Sequence, residues 1–246
     1  MKDSQPFPQL LAGLTVLSLS LVMSSWIATT GLKAIRRADD VLIVTGSAKQ
    51  PITSDYIIWR FSLSTQQQDP QSAYQDLMRQ TAILRAYLKA QQVPDEVITL
   101  SAIESYSIPE VDYNGRETGE ILAYRLTQRF EIRSNEVDKY TELSRTSSEL
   151  LSQGLNLYSE SPQYLYTQLD QLRVEMVAEA TKDAKARAEA IAESTGIEVG
   201  SLRAARTGVF QITSRNSTDV SDYGIYDTSS VEKDITAVVS VTFTIK

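Results

Sequence analysis

The last thirteen residues, DITAVVSVTFTIK (234–246), alternate between apolar and mostly polar side chains. The apolar set is Ile235, Ala237, Val239, Val241, Phe243 and Ile245. Successive side chains of a β-strand point to opposite faces, so this period of two predicts a strand with one buried face. Strands of a parallel sheet are covered on both faces and read instead as continuous apolar runs. The alternation therefore favours an antiparallel sheet.

Further strands and three helices complete an α+β pattern. Pro70 suits the first position of a helix, and Asn135 suits the N-cap of the next one. The predicted strands cover 41–48, 55–65, 97–108, 121–133, 155–161 and 201–213, and the predicted helices cover 70–93, 135–154 and 166–195. We expect an antiparallel sheet with helices packed on one face. Two strand-helix-strand-strand units, 55–133 and 155–246, are joined by the middle helix in this prediction.

The segment ATKDAKARAEAIAESTG (180–196) places alanines and charges at helical spacing. Small residues let a neighbouring backbone approach a helix closely, and Lys185 is spaced to pair with Glu189 on the outside. Gly196 follows as the left-handed residue that ends a helix. Acid–base chemistry by Glu189 or Glu193 would need a carboxylate in a cleft, which nothing in the sequence places. We therefore interpret the segment as a scaffold helix, with a packed face formed by Val174, Val177, Ala180, Ala184, Ala188, Ile191 and Thr195.

The chain has no cysteine and no histidine among its 246 residues. Disulfides, zinc fingers, thiol nucleophiles and imidazole catalysis are therefore excluded, and with them most familiar active sites. Its glycines form no GxGxxG or Walker pattern, so we expect no nucleotide cofactor. The net charge is −7 and no basic run follows Arg37, so we expect no binding to nucleic acid.

Residues 10–28, LLAGLTVLSLSLVMSSWIA, form a long stretch without charge. At about 1.5 Å per residue, a helix of this length nearly matches a hydrocarbon core of roughly 30 Å. A cleaved signal peptide is the alternative, but the run is long for one, and Trp26-Ile27-Ala28 is a poor cleavage site. We expect a short tail at 1–9, a transmembrane anchor or uncleaved signal at 10–28, a linker at 29–40 and one domain at 41–246.

Acidic and tyrosine-rich loops are the remaining candidate sites. Asp112-x-Asn114-Gly115 faintly resembles a calcium loop, but an EF-hand needs more oxygen ligands and two flanking helices. We interpret these loops as solvated, and we assign no catalytic, cofactor-binding or metal-binding residue. The acidic candidates are Glu110, Asp112, Asn114, Glu117 and Glu120 in the connection 109–120, then Asp219, Asp222 and Asp227. Tyrosine suits interfaces, so one candidate role for the tyrosines in or near connections is an oligomer contact, and the alternative is ordinary strand and loop packing. These tyrosines are Tyr158, Tyr164, Tyr166, Tyr223 and Tyr226.

Several segments together resemble the SIMPL domain family, also called DUF541. They are VTGSA, ITSDYIIWRFSL, AYRLTQRFEIRSNEVDKY, SPQYLYTQLDQLRVEMVAEAT, and STG followed by IEVGSLRAARTGVFQI. The resemblance covers residues 41–246 and implies a bacterial envelope protein with an α+β fold. It further implies export or anchoring by the N-terminal segment, a frequent link with stress tolerance and, in some members, large ring-like oligomers. It implies no catalytic residue.

The resemblance and the positive-inside rule disagree about orientation. Lys33, Arg36 and Arg37 follow the apolar segment, which by the rule would leave the domain in the cytoplasm. The family resemblance implies instead that the domain lies outside the cytoplasm. We expect export, because three basic residues beside one segment give only a modest bias.

Three candidate functions follow from these observations. We expect a non-enzymatic, single-pass protein of the inner (cytoplasmic) membrane that forms homo-oligomers, with its domain in the periplasm or at the cell exterior. The alternative is a module that binds a small ligand or a partner. A hydrolase with paired carboxylates is a weaker third option, because it needs two carboxyl groups in one cleft.

Overall fold

The computed structural model describes residues 7–38 and 40–245. It combines helices with mainly antiparallel strands, which confirms the predicted α+β class. The strands are divided between two sheets, where the sequence indicated one. The helices are α1 (Phe7–Ala38), α2 (Pro70–Ala90), α3 (Val137–Thr146), α4 (Glu149–Ser152) and α5 (Leu169–Thr195), with a 3₁₀ turn at Asp95–Val97. The strands are β1 (Val41–Thr53), β2 (Tyr56–Gln67), β3 (Ile98–Leu100), β4 (Glu104–Val111), β5 (Glu117–Ser134), β6 (Leu157–Ser159), β7 (Gln163–Leu165), β8 (Val199–Thr207), β9 (Gln211–Ser214), β10 (Ile225–Tyr226) and β11 (Glu232–Ile245).

The chain is divided into two compact units. The first unit contains Met1–Ala48, Glu175–Gly208 and Ala237–Lys246, and the second contains Lys49–Val174 and Val209–Thr236. β1, α5 and β11 therefore contribute residues to both units.

The second unit is built on the antiparallel pair β2 and β5. Their register runs from Ile57 opposite Ser134 to Gln67 opposite Tyr124. β3 and β4 pair with the far edge of β5, and β6 and β7 pair with the far edge of β2, all antiparallel. One face of this sheet packs on α2 and α3. The core there contains Ile57, Trp59, Phe61 and Leu63 of β2, Leu126, Phe130 and Ile132 of β5, Leu77, Leu84 and Leu88 of α2, and Tyr140 and Leu143 of α3.

The start of α2 follows the local sequence. Asp69 has an extended backbone and its side chain accepts a hydrogen bond from the Ser72 amide at 2.9 Å, while Pro70 occupies the first turn. Both residues satisfy the chemistry of a helix N-terminus. The predicted start at Pro70 is therefore confirmed, and α2 ends at Ala90, shortly before Val93 and Pro94.

The first unit shows what the alanines of α5 do. Gly46 of β1 lies against α5, and a Cβ atom at this residue would be 2.7 Å from the Cβ of Ala184 and would also collide with the Ala180 carbonyl. The predicted close approach to small residues is therefore confirmed. The Ser47 amide also donates to Asp183 at 2.8 Å, which fixes the end of VTGSA on the helix.

The buried row of α5 differs from the predicted one. Val174 is 71% exposed and Ile191 is 40% exposed, and Thr195 is also exposed. The buried residues advance by four throughout: Leu172, Met176, Ala180, Ala184, Ala188 and Ala192. A row of this kind winds slowly around the helix, as expected when the packing line is inclined to the helix axis.

Other boundaries also differ from the prediction. The helix predicted from Asn135 is split into α3 and α4, with Glu136 at the N-cap of α3. The strand predicted at 201–213 is divided into β8 and β9. β8 pairs with β11 in the first unit, and β9 pairs with β11 in the second.

Helix α1 contains one segment, Ala12–Thr29, that is apolar and long enough to cross a membrane. Of the predicted tail, residues 1–6 lie outside the described residues and 7–9 belong to α1. Helix α1 continues to Ala38 through most of the predicted linker.

Candidate functional site

A two-stranded ribbon extends from the sheet of the second unit. The pairing of β2 with β5 ends at Tyr124, whereas β4 and β5 stay paired to Val111 opposite Glu117. No residue from 104 to 122 is buried. We call residues 104–122 the ribbon. Much of the predicted connection 109–120 is therefore strand, because the actual turn is confined to the residues between β4 and β5.

The ribbon exposes large apolar side chains. Tyr113 at its turn is 97% exposed and Tyr106 on β4 is 64% exposed. Val111, Ile121 and Leu122 are also exposed. A two-stranded ribbon with no core of its own is only marginally stable in water. A group of exposed apolar side chains is typical of a surface that contacts a protein partner, a ligand or a membrane.

The acidic turn of the ribbon is explained by backbone chemistry. The Asp112 carboxylate accepts hydrogen bonds from the amides of Asn114 at 2.8 Å and Arg116 at 2.9 Å. Gly115 supplies the positive φ of 76° that the turn requires. Glu110 accepts from the Thr118 hydroxyl at 2.7 Å. In the described part of the chain, no group of three acidic side chains is arranged to hold a metal ion.

The face of the sheet opposite α2 carries a row of arginines. Residues 126, 128, 130 and 132 of β5 are buried, so Arg125, Arg129 and Arg133 point to the other face. We call this side the open face. Arg129 pairs with Glu104 at 2.5 Å, and Arg125 donates to Gln66 at 3.0 Å. The open face is therefore basic but partly neutralised.

Glu131 lies among these arginines. It pairs with Arg133 and, at 2.6 Å, with Arg60. The hydrogen bond from Arg133, then that from Arg60, lowers the pKa of Glu131 against the opposing effect of burial. This carboxyl group therefore stays ionised, whereas a general acid needs a raised pKa.

A groove of about 260 Å³ opens on this face. It is lined by Arg60, Thr99, Ser101, Arg129, Glu131 and Glu160, among others. Two carboxylates, Glu131 and Glu160, border it, but the ion pairs of Glu131 suit binding better than proton transfer. The groove therefore offers a concave surface in which hydroxyl and charged side chains lie beside the apolar Phe61, Leu100 and Phe130.

The remaining predicted acidic residues are dispersed. Glu189 pairs with Lys185 at 3.7 Å on the exposed side of α5, as predicted, and Glu193 is also exposed. Asp219 and Asp222 lie in the loop before β10. The structure does not bring these side chains together into a cleft.

The tyrosines predicted for an oligomer contact differ in their exposure. Tyr223 is 96% exposed, and Tyr158 and Tyr226 are exposed too. Tyr164 is buried and Tyr166 is half-buried. Only part of the predicted tyrosine set is therefore available for contact with a partner.

The sequence interpretation missed Lys233, which is fully buried. Its ammonium group donates to the Ser54 hydroxyl at 2.8 Å, to the Tyr164 carbonyl at 3.0 Å and to the Ser230 carbonyl. Burial lowers the pKa of Lys233, and nearby Asp227 opposes this shift. One signal was present, because residue 233 falls in phase with the buried residues of β11. Its three N–H donors are therefore satisfied, and Lys233 links β11 to Ser54, Tyr164 and Ser230.

A search of curated proteins gave no match to the chain. A family model described as "Protein of unknown function (DUF541)" matches residues 42–243. The match covers the strands from β1 to most of β11, including the ribbon and the open face. It begins after the apolar segment of α1. The chain therefore belongs to the SIMPL family, as its resemblance indicated.

Proposed function

We propose that this protein is a non-enzymatic bacterial envelope protein that is anchored by residues 10–28 and works by self-assembly. The ribbon carries this proposal, because its apolar side chains have no core to cover them. Apolar helix α1 supports anchoring. The lack of histidine and cysteine, together with the ionised Glu131, supports a role in binding rather than catalysis.

The magnitudes favour assembly at a membrane. Complete burial of one large apolar side chain is worth about 1.5–3 kcal/mol. Association costs about 4–15 kcal/mol in lost freedom of motion. Five ribbon side chains thus give a modest net affinity in free solution. Anchoring raises the local concentration of the protein and makes such a contact effective.

The assembly test is the protein mass of the full chain in detergent micelles, measured by light scattering with the detergent mass subtracted. We expect one discrete multimer that persists on dilution into the micromolar range. A monomer at every protein concentration would reject self-assembly and would favour the second candidate function.

Export of the domain is part of the proposal and has its own test. The chain lacks cysteine, so single cysteines give a clean signal. We expect Val220→Cys, which lies in an exposed loop of the domain outside the ribbon, to react with a membrane-impermeant maleimide in cells whose outer membrane has been permeabilised. Ser4→Cys, on the other side of the apolar segment, should react only after lysis. The reverse pattern would place the domain in the cytoplasm.

The second candidate function is binding of a small ligand or a partner in the groove beside Glu131. The observation that favours it is the concave surface with polar hydroxyls and arginines. A thermal-shift screen of the full chain tests this candidate, with Thr99→Trp as a variant that fills the groove. A stress-related role rests on the family resemblance, and a deletion strain with normal survival under envelope stress would reject it.

A further inference from the structure

The ribbon and the open face form a strip whose charge changes sign along its length. The tip, residues 110–120, has four carboxylates and one arginine. The middle, residues 105–109 and 121–124, has no charged residue. The base carries Arg125, Arg129 and Arg133, with Glu104 and Glu131 as local partners. One end of the strip is therefore acidic, the centre is apolar and the other end is basic.

The middle of the strip belongs to the same face as the arginines. Tyr106 lies opposite Arg125, and Ile108 lies opposite Ala123, in the β4–β5 ladder. Directly opposed residues of an antiparallel pair share one face of the sheet. Tyr106 and Ile108 thus extend the open face from the arginine row toward the acidic tip.

We infer that two copies of this chain pack their strips face to face in antiparallel orientation, so that each acidic tip covers the basic base of the other copy. This inference rests on the proposed self-assembly and names its interface. The antiparallel arrangement places apolar middle on apolar middle. A parallel arrangement would place acid on acid, which is strongly disfavoured in a contact that excludes water.

The spacing of the charges supports this arrangement. Take the level of Ile108 and Ala123 as the centre. On β4, Glu110 is two residues from Ile108 toward the tip, and on β5, Arg125 is two residues from Ala123 toward the base. A separation of two residues keeps both side chains on the open face, and at about 3.3 Å per residue, reversing the strip about its centre brings Glu110 near Arg125.

Charge complementarity favours a second copy of this chain as the partner of the strip. The chain has a net charge of −7, so its overall charge repels the acidic tip of another copy. The arginine row provides a basic patch next to the apolar middle. Because both halves of the contact lie on one strip, the contact is isologous, and every pairing occurs twice.

Charge reversal in the full chain tests the pairing. In detergent micelles, Glu110→Arg or Arg125→Glu should weaken self-association by roughly tenfold or more, because each reversal creates two like-charge contacts. The double variant Glu110→Arg/Arg125→Glu should restore most of the affinity. Glu96→Arg and Arg85→Glu are matched controls, since both side chains are exposed outside the strip, and they should leave the affinity unchanged.

Cross-linking tests the orientation. Packed sheets lie about 10 Å apart, so Ile108→Cys at the centre should be joined to its copy by a bis-maleimide of that length. Tyr113→Cys at the tip should not be joined, because antiparallel strips keep the two tips apart. Absence of native cysteine removes background.

The outcomes separate the interface from the assembly. Loss of affinity with rescue, and a cross-link at residue 108, support the antiparallel strip. An oligomer that neither reversal weakens, or one cross-linked only at residue 113, would overturn this interface and leave self-assembly standing. A monomer under all conditions would overturn both.

Discussion

Gly46 of β1 and Ala184 of α5 are in contact through their backbones. A Cβ atom at residue 46 would lie 2.7 Å from the Cβ of Ala184, closer than real Cβ atoms approach. The atoms around this point include the Ala180 carbonyl and the Ala184 amide, which belong to helix backbone and cannot rotate away. The small residues of α5 and the glycine of VTGSA therefore form two halves of one packing contact.

Gly46→Ala should destabilise the protein. Overpacking of a tight interior contact typically costs about 1–3 kcal/mol, and the rigid helix backbone places this case toward the upper end. The measurement is the midpoint of urea unfolding followed by circular dichroism. Thr45→Ile is the control, because Thr45 is exposed and the added carbon atoms meet solvent. Equal midpoints for the wild type and Gly46→Ala would contradict the contact.

Lys233→Met should destabilise the second unit. Removal of the ammonium group leaves the Tyr164 and Ser230 carbonyls without this donor. Each buried acceptor left without a donor costs about 1–3 kcal/mol. The measurement is the free energy of unfolding, with Lys182→Met as the exposed control. An unchanged free energy of unfolding would contradict this prediction. It would mean that apolar packing of the methionine compensates for the lost hydrogen bonds, as when some buried ion pairs are replaced by apolar residues.

Asp234→Asn should reduce the dependence of stability on acid pH. The carboxylate of Asp234 accepts from the Asn216 amide at 3.0 Å and pairs with Lys49 at 2.9 Å and Arg215 at 3.4 Å. Burial raises the pKa of Asp234, but these partners outweigh it and lower the pKa below its ordinary value.

The sign of this effect follows from linkage. The unfolded-state pKa of aspartate is about 3.9. The stabilisation by Asp234 is therefore present above that pH and is lost as the pH falls through the lower, folded-state pKa. We expect the wild type to be more stable than Asp234→Asn at pH 7 by about 2 kcal/mol. The gap should narrow below about pH 4, and a gap independent of pH would contradict the assignment.

Two arginines in α1 should release the protein from the membrane. Arginine near the centre of a membrane helix costs about 2.5–3.5 kcal/mol by insertion scales. Leu17 and Leu21 lie in the apolar segment Ala12–Thr29, so Leu17→Arg/Leu21→Arg should lose carbonate-resistant membrane association. Val220→Arg, in an exposed loop, is the control. Continued membrane association of the double variant would argue against residues 10–28 as the anchor.

Local patterns predicted the elements better than their packing. The alternation in β11 and the Asp69-Pro70 start of α2 depend on neighbouring residues, and both were predicted from them. The packed face of α5 was predicted only in part. Val174 and Ile191 are apolar and suitably spaced, but the buried residues next to them in the chain are Met176 and Ala192. Hydrophobicity alone does not reveal the inclination of a packing line.

The candidate site was predicted less well than the fold. The acidic residues around Asp112 were recognised as a turn, but the strands on either side of it were assigned to the loop. The strands extend into 109–120 because β4 pairs with β5. The polar composition of this segment does not indicate that pairing. The arginine row was also overlooked, because its alternate spacing acquires meaning only once the other face of β5 is known to be buried.

The sequence by itself determined the α+β class, the antiparallel pairing, the apolar segment and the absence of thiol and imidazole chemistry, because each depends on composition or on residues close in the chain. The tertiary structure decided the exposure of the ribbon, the order of charges along its strip and the burial of Lys233. Those features depend on partners distant in sequence: Lys233 reaches Ser54 across 179 residues. Local sequence patterns do not predict such contacts, because only the folded chain brings these groups together.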